Sequence, residues 1–506
     1  MFSKILSFAL IGLEGVCVEI ETDIGKGLVS YDLVGLPDAA VKESKERVRA
    51  AIKNSALVFP VNRITVNLAP ADIKKEGSQY DLPIAISLLK ASDQLLSPTD
   101  GIIFLGELAL DGALRPVTGI LPLLISARDK GFTRFVVPAA NAAEASFIEG
   151  TEVYALSSLK EVVAFLSDER AYEPVVNRSF SNVKSGTSYN HDMSLVRGQK
   201  MSKRALEIAV AGGHNILFVG PPGSGKTLLA RCIPTIMPDL TFDEALEVTK
   251  IHSVAGELSE EGIVSLRPFR TPHHTATTVS LCGGSAKIRP GEISMAHKGV
   301  LFLDELPEYS RHTLESLRQP LEDRKITITR AGGAVTFPAD FMLCASMNPC
   351  PCGNYGSTYL ECTCTPAQIN KYRNRISGPL LDRIDLQVEV DGVKYDDLAG
   401  DGKEETSADV KKRIETARAI QRERFSDERE GMINANMGEK QIKKYCCLSS
   451  ECESVLRSAY ESLHLSARAR TRIIKVARTI ADLSYSEKIL PEHILEAASY
   501  RSYEKN

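Results

Sequence analysis

No apolar run in this 506-residue chain approaches the about 20 residues that a membrane-crossing helix requires. The opening Met1-Phe2-Ser3-Lys4-Ile5-Leu6 soon meets Glu14 with no small-residue cleavage site, so the expected location is the cytoplasm, with no membrane partner. Charge is nearly balanced: 61 Lys and Arg stand against 65 Asp and Glu, a net −4. That balance gives no overall attraction to nucleic acid and confines any such contact to local basic surfaces. Internal repeats and low-complexity tracts are absent. With 43% hydrophobic and 25% charged residues, the composition is that of an ordinary folded protein and not of a disordered or fibrous one. Most of the eleven cysteines sit singly in apolar segments, as at Cys17, Cys232 and Cys344, which fits reduced thiols better than a disulfide framework.

The length allows two or three domains, each able to bury a core. Residues 1–165 alternate β-type runs, such as Val16-Cys17-Val18-Glu19-Ile20 and Arg63-Ile64-Thr65-Val66-Asn67-Leu68, with helical patterns near 38–55 and 81–92, which predicts a mixed α/β domain. Residues 166–200 are polar and aperiodic and read as a linker. Residues 201–395 carry the nucleotide signatures described next. From 396 to 506, beyond Gly400-Asp401-Gly402-Lys403, the pattern is helical.

The strongest local signal is Gly220-Pro221-Pro222-Gly223-Ser224-Gly225-Lys226-Thr227, between the apolar run Asn215-Ile216-Leu217-Phe218-Val219 and the helix-like Leu228-Leu229-Ala230-Arg231. Backbone N–H groups of such a loop cradle a nucleotide phosphate, Lys226 neutralises its charge, and the Thr227 hydroxyl completes a Mg2+ site. Downstream, Gly299-Val300-Leu301-Phe302-Leu303 ends in Asp304-Glu305. Asp304 is expected to hold the metal and Glu305 to polarise the attacking water; the alternative is a strand ending in a solvated acidic turn. A third apolar strand, Phe341-Met342-Leu343-Cys344-Ala345, leads to Asn348, read as a sensor that orients the same water, although a lone Asn at a strand end is more often a turn former.

Two further constellations follow from residue type. Cys350, Cys352, Cys362 and Cys364 form two CxC pairs around a polar loop, four soft ligands for one structural Zn2+ with no open catalytic position; free thiols are the alternative. The stretch Arg324 to Phe337 alternates β-branched residues around Gly332-Gly333 and predicts a hairpin from which Lys325 and Arg330 would track phosphates without reading sequence. Two cations on a hairpin are also common as plain surface.

Together, the phosphate loop, Leu301-Phe302-Leu303-Asp304-Glu305-Leu306, Arg270-Thr271-Pro272-His273-His274 and Ile376-Ser377-Gly378-Pro379-Leu380-Leu381-Asp382-Arg383-Ile384-Asp385 resemble the magnesium-chelatase-like AAA+ ATPases. Within that group the chain most resembles the ComM/YifB proteins, with a Lon-protease-like domain ahead of the ATPase. The resemblance covers nearly the whole chain. It implies an N-terminal Lon-like α/β domain of the ribosomal S5 domain 2 type, a P-loop AAA+ α/β/α domain and a helical lid. It further implies ATP and Mg2+ as cofactors and a homo-hexameric motor on single-stranded and branched DNA. Such a motor drives branch migration during natural transformation, with recombination proteins as candidate partners.

The resemblance also assigns roles. Arg383 matches the finger that reaches a neighbouring subunit's nucleotide, with Arg375 as the fallback and an intramolecular partner for Asp382 or Asp385 as the bland reading. Arg468 matches the lid's second sensor, and Arg470, Arg472, Lys475 and Arg478 are expected to form a solvated basic face or a DNA-facing patch. The insert from His273 to about Arg289, with Lys287, matches a second pore-side loop, and His273-His274 lack the spacing of metal ligands. In the Lon-like domain the nucleophile position falls near Gln79 and the base lysine position on Leu121, so Ser78 has no evident activating partner and a scaffold without peptidase activity is expected. Against the DNA motor stands a chelatase-type ATPase that remodels a protein partner, whose turnover DNA would leave unchanged. An ATP-dependent protease is the third reading.

Overall fold

Alternating burial along the first two strands sets up the N-terminal architecture. In the computed structural model, which describes residues 1–501 except 185–188, 285–287, 331–332, 357–359, 393–403, 429–430 and 464, the chain forms two compact units. The first contains residues 1–186 and 241–265, the second 187–240 and 266 onward.

In the first unit, β1 (Phe2–Ile11) and β2 (Glu14–Gly25) pair antiparallel with Ile5 opposite Ile20 and Phe8 opposite Cys17. The period of two sends Ile5 and Ala9 to one face and Phe8 to the other. With β3 (Ser30–Val34), β4 (Arg63–Ala69), β5 (Ile102–Phe104), β8 (Arg134–Pro138) and β9 (Glu152–Leu156) they make a seven-stranded sheet ordered β3-β4-β2-β1-β5-β8-β9. The short strands β6 (Glu107–Leu108) and β7 (Leu114–Arg115) pair separately. Helices Ala39–Asn54 and Asp81–Ala91 cover one face and Ile120–Asp129 the other, so the helices and strands expected from periodicity are present.

The segment 241–265 lies, by sequence, inside the nucleotide-binding stretch, yet it packs with this first unit. Its helix Phe242–Ala255 opens with a capping box, Thr241 and Glu244, which satisfies the orphan N–H groups of its first turn. Leu246 joins the core against Phe8, Leu121 and Leu124, and Ser253 donates to the buried Glu144 carboxylate while its carbonyl accepts from Gly119 N at 3.2 Å. Its apolar residues are spaced like those of any amphipathic helix, so nothing local tells which core they join.

The second unit is built on a parallel sheet ordered β11-β12-β15-β10-β16: β11 (Phe269–Arg270), β12 (Val300–Leu303), β15 (Met342–Met347), β10 (Ile216–Val219) and β16 (Leu386–Glu389). Strands β10, β12 and β15 are buried throughout, as expected of a parallel sheet covered on both faces. The predicted hairpin forms from β13 (Lys325–Arg330) and β14 (Gly333–Pro338). Helices Ser407–Arg424, Glu439–Tyr445, Ser450–Ser462, Ala467–Leu483 and Pro491–Ser499 follow. One continuous core runs from Ile216 and Phe218 to Ile473 and Ile494, so the lid shares its apolar interior with the sheet. No helix among the described residues is long and apolar enough to cross a membrane.

Candidate active site

Because the strands run parallel, β10, β12 and β15 all end at one edge of the sheet, and the residues that follow them meet there. Gly223 and Gly225 adopt φ of 77° and 87°, the left-handed region that a side chain disfavours, and Gly225 caps the helix Lys226–Ile236. The helix N-terminus and its free N–H groups therefore face the loop, the arrangement that binds a phosphate. A Cβ on Gly220 would collide with the Val390 carbonyl.

Lys226 Nζ donates to Gly220 O at 2.7 Å and Pro221 O at 2.8 Å and lies 3.4 Å from Asn348 Oδ1. Burial lowers its pKa, and the charges of Asp304 and Glu305 oppose that shift. Thr227 Oγ1 donates to Asp304 Oδ2 at 3.1 Å, so a hydroxyl and a carboxylate, both hard oxygen ligands suited to Mg2+, already converge. Thr227, Asp304, Lys226 and Asn348 are thus one constellation, as expected from sequence.

Ser346 was invisible to sequence reasoning because it reads as one more strand residue. Fully buried, it donates to Asp304 Oδ1, and Glu305 N donates to that same oxygen at 3.0 Å. These two bonds aim the other oxygen, Oδ2, at Thr227. Glu305 itself sits at φ 51°, a left-handed conformation that costs a non-glycine residue about 1–3 kcal/mol and is retained where a side chain must be aimed. His274 Nδ1 stands 3.8 Å from Glu305 Oε2, and the His273 ring lies tilted by 35° against His274 with centroids 4.0 Å apart. Tyr309 donates to Pro272 O at 2.6 Å and anchors this histidine segment. The pair therefore neighbours the expected general base, although its sequence spacing signals nothing.

Arg383 lies at the opposite edge of the sheet. It precedes β16, whose first residue pairs with the first residue of β10, whereas the phosphate loop follows the last residue of β10. Four strand residues separate the two edges by roughly 13 Å. Its guanidinium donates to Pro379 O at 2.7 Å and to Glu322, not to Asp382 or Asp385. Asp385 is instead held by Arg472 and by Asn215 N at 2.9 Å, which keeps its carboxyl far below the ordinary range despite burial. Arg375 pairs with Glu308 at 2.8 Å, three residues after Glu305 on the same chain.

Arg468 is exposed and makes no hydrogen bond or ion pair with a described residue; its charge acts on Glu322, the carboxylate that Arg383 binds. Of its neighbours, Arg470 stays exposed and pairs with Glu453 at 3.1 Å, while the other three members of the expected solvated basic face turn inward. Arg472 turns to Asp385, Arg478 is buried against Asp482, and Lys475 donates to Ala435 O at 2.9 Å with burial pressing its pKa down to about 8. The apolar stripe of this helix, Ile473, Val476, Ala477 and Ile480, enters the core and carries these cations inward with it.

On the hairpin, Lys325 is exposed without a hydrogen bond or ion pair to a described residue, whereas Arg330 donates to Gly284 O at 2.5 and 3.1 Å, tying the hairpin to the insert. Lys287 lies outside the described residues. The four cysteine sulfurs of Cys350, Cys352, Cys362 and Cys364 lie within 4.8 Å of one another. Three of their separations are 3.3, 3.6 and 3.7 Å, against about 3.8 Å for thiolates arranged tetrahedrally at Zn–S of about 2.3 Å, so the donor set fits Zn2+. Gly353, inside this loop at φ 84°, packs against Pro222 of the phosphate loop.

In the first unit, Ser78 donates to Glu107, and Leu121 is buried with its N–H on Glu144 at 2.9 Å. Lys75 is spent on the Pro70 carbonyl. Arg47 binds Asp81 through two bonds, 2.7 and 3.0 Å, and burial lifts the Asp81 pKa to about 6. Among these contacts, none supplies Ser78 with a general base of the lysine type.

Comparisons with known proteins agree along the chain. The profile described as magnesium chelatase, subunit ChlI, matches residues 192–398; that of subunit ChlI of Mg-chelatase matches 20–141, and that of the ChlI C-terminal region 404–501. The chain is 43% identical over 504 residues to "Competence protein ComM" of Haemophilus influenzae, covering 98% of this chain and 97% of that one. It is also 43% identical over 502 residues to "Uncharacterized protein YifB" of Escherichia coli, covering 98% and 96%. "Lon protease 2" of Bacillus subtilis matches at 27% identity over 141 residues, 26% of each chain.

Proposed function

Since the chain belongs to the ComM/YifB family of magnesium-chelatase-like AAA+ proteins, we propose that it is an ATP-driven DNA translocase that binds single-stranded and branched DNA and promotes branch migration during recombination. The name of the Haemophilus influenzae relative supports natural transformation as the setting.

One observation carries the reading: the phosphate loop and Arg383 stand at opposite edges of one parallel sheet. An arginine so placed cannot serve the nucleotide of its own chain, but in a closed ring it would meet the nucleotide of the next. A homo-hexamer with six such junctions is the assembly that makes both edges useful. Within each junction Lys226 and the loop N–H groups would bind the phosphates, and Thr227 and Asp304 would hold Mg2+. The metal would supply charge neutralisation at the leaving phosphates. Glu305, aimed by its backbone and flanked by His274, would take the proton of the attacking water while Asn348 orients it; Arg383 and Arg468 of the neighbouring copy would meet the charge that develops on the γ-phosphate.

Lys325 supports DNA as the transported polymer, with Lys287 as a further contact, while Arg330 would brace one pore loop against the other through Gly284. Zn2+ on the four cysteines would be structural, since four protein ligands leave no open position. The first unit, in which Ser78 meets the Glu107 carboxylate and no lysine base among the described contacts, would act as a scaffold.

The test is a labelled three-strand or Holliday-type junction incubated with ATP and purified protein, beside a Lys226→Ala control. Displacement by the wild type alone supports the motor. ATPase activity that DNA leaves unchanged, with no displacement, favours the remodelling of a protein partner.

A further inference from the structure

An arginine that acts on a neighbour's phosphate has to project from the surface, and Arg383 does not. Its side chain is 9% exposed, with Nη1 on Pro379 O, Nη2 on Glu322, and Nε buried without a partner. The backbone around it is pinned: Asn215 Nδ2 donates to Arg383 O at 3.0 Å, Arg472 Nη1 to the same oxygen at 3.2 Å, and Arg501 to Ile384 O.

Its anionic partner is the least secure of these attachments. The Glu322 carboxylate is 59% exposed, so water and salt screen the pair and a competing anion can displace it. The charges of Arg383, Arg468 and Arg472 all act on this one carboxylate, and Arg383 alone of the three is hydrogen-bonded to it. Glu322 is also the penultimate residue of the helix Arg318–Asp323, which passes through Arg324, at φ 55°, directly into β13. Two residues, Asp323 and Arg324, separate Glu322 from Lys325. Arg324 lies 3.5 Å from Asp340 beyond the far strand, so the base of the hairpin and the helix end form one connected piece.

We propose that Glu322 is a latch that stows the Arg383 finger in the absence of DNA, and that displacement of the β13–β14 hairpin by a bound strand withdraws the carboxylate and frees the guanidinium for the adjoining copy's γ-phosphate. The inference rests on the proposed DNA-stimulated ATPase and adds the element that makes the stimulation. Glu322 acts through Arg383 and is a positioning residue.

The experiment compares full-length wild type, Glu322→Gln, Glu322→Asp and the double variant Glu322→Gln with Arg383→Ala, measuring kcat and KM for ATP with and without a single-stranded oligonucleotide. Glu322→Gln is expected to raise the DNA-free kcat by about two- to fivefold, the shift that losing a half-exposed ion pair permits, with KM unchanged and the stimulation ratio lowered accordingly. Glu322→Asp, which keeps the charge, should retain most of the wild-type ratio, and the double variant should be inactive in both conditions. A merely structural glutamate would lower both rates or leave both untouched. If the wild type responds to DNA and Glu322→Gln keeps its DNA-free rate and its ratio, the latch is overturned while the motor stands. If the wild type itself hydrolyses no ATP, or ignores DNA, both fall.

Discussion

His274 Nδ1 lies 3.8 Å from Glu305 Oε2, and it is delivered there by the segment following the edge strand β11, not by the strand that carries the glutamate. The proposed general base, Glu305, thus has a left-handed backbone at one end and an imidazole neighbour at the other.

Substituting Glu305 by Gln should leave ATP binding intact and reduce turnover by roughly a hundredfold or more, because the amide keeps the shape and loses the proton acceptor. His274→Ala should lower kcat by about tenfold, a smaller loss since the base remains and only its orientation suffers. Steady-state ATPase assays with a fluorescent-nucleotide binding measurement separate the two effects, and normal turnover of Glu305→Gln rules it out as the base.

Ser346 gives a prediction about the metal. Ser346→Ala removes the hydroxyl that fixes Asp304 Oδ1 and leaves Thr227 and Asp304 in place. The Mg2+ concentration for half-maximal turnover should rise by roughly tenfold, with saturating metal restoring most of the rate. An unchanged Mg2+ titration would show that the Asp304 orientation does not depend on this bond.

How much of this was legible depended on whether the signal was local. The phosphate loop, the Asp304-Glu305 strand end and the hairpin each need only their own neighbours in sequence, and all three formed as read. Ser346, His274 and Glu322 gain their meaning from residues 42, 31 and 61 positions away, so no window along the chain could expose them. The helix Phe242–Ala255 and the inward turn of Arg472, Lys475 and Arg478 were hidden for a related reason: an amphipathic pattern tells that a helix has a buried side but not whose core receives it.

The position of Arg383 at the amino edge of the sheet predicts complementation between dead subunits. Lys226→Ala should lose nucleotide binding, and Arg383→Ala should bind ATP normally but hydrolyse it about a thousandfold more slowly. Mixed together, the two should recover activity, because a Lys226→Ala subunit can lend its intact Arg383 to the nucleotide of its neighbour. Absence of recovery in rings shown to be mixed would return attention to Arg375, which Glu308 ties to the chain's own Glu305 turn.

Asp81 sets a pH dependence for the first unit. Burial raises its folded pKa to about 6 from an unfolded value of 3.8, so the native state binds the extra proton between these limits. The stability linked to that proton is fully present below about pH 4 and is lost as the pH rises through 6, a change on the order of 2–3 kcal/mol. Asp81→Asn cannot titrate, and although it weakens the contact with Arg47, its denaturation midpoint should lack this component. The difference between wild type and variant, followed by urea denaturation from pH 4 to 7, should therefore shift steadily against the wild type; a constant difference would mean that Asp81 ionises as it does in the unfolded chain.

The cysteine cluster predicts a metal whose removal reaches the nucleotide. Four sulfurs crowded within 4.8 Å are costly as thiolates unless a cation joins them, and the purified protein should carry one Zn2+ per chain by elemental analysis. Because Gly353 of this loop packs on Pro222, releasing the sulfurs should loosen the phosphate loop as well as the loop itself. Cys362→Ser, or a strong chelator, should lower the melting temperature by several degrees and weaken ATP binding, while Cys447→Ser, an exposed thiol remote in sequence from the cluster, should do neither. Zinc-free protein that melts and binds ATP like the wild type would reduce the four cysteines to ordinary free thiols.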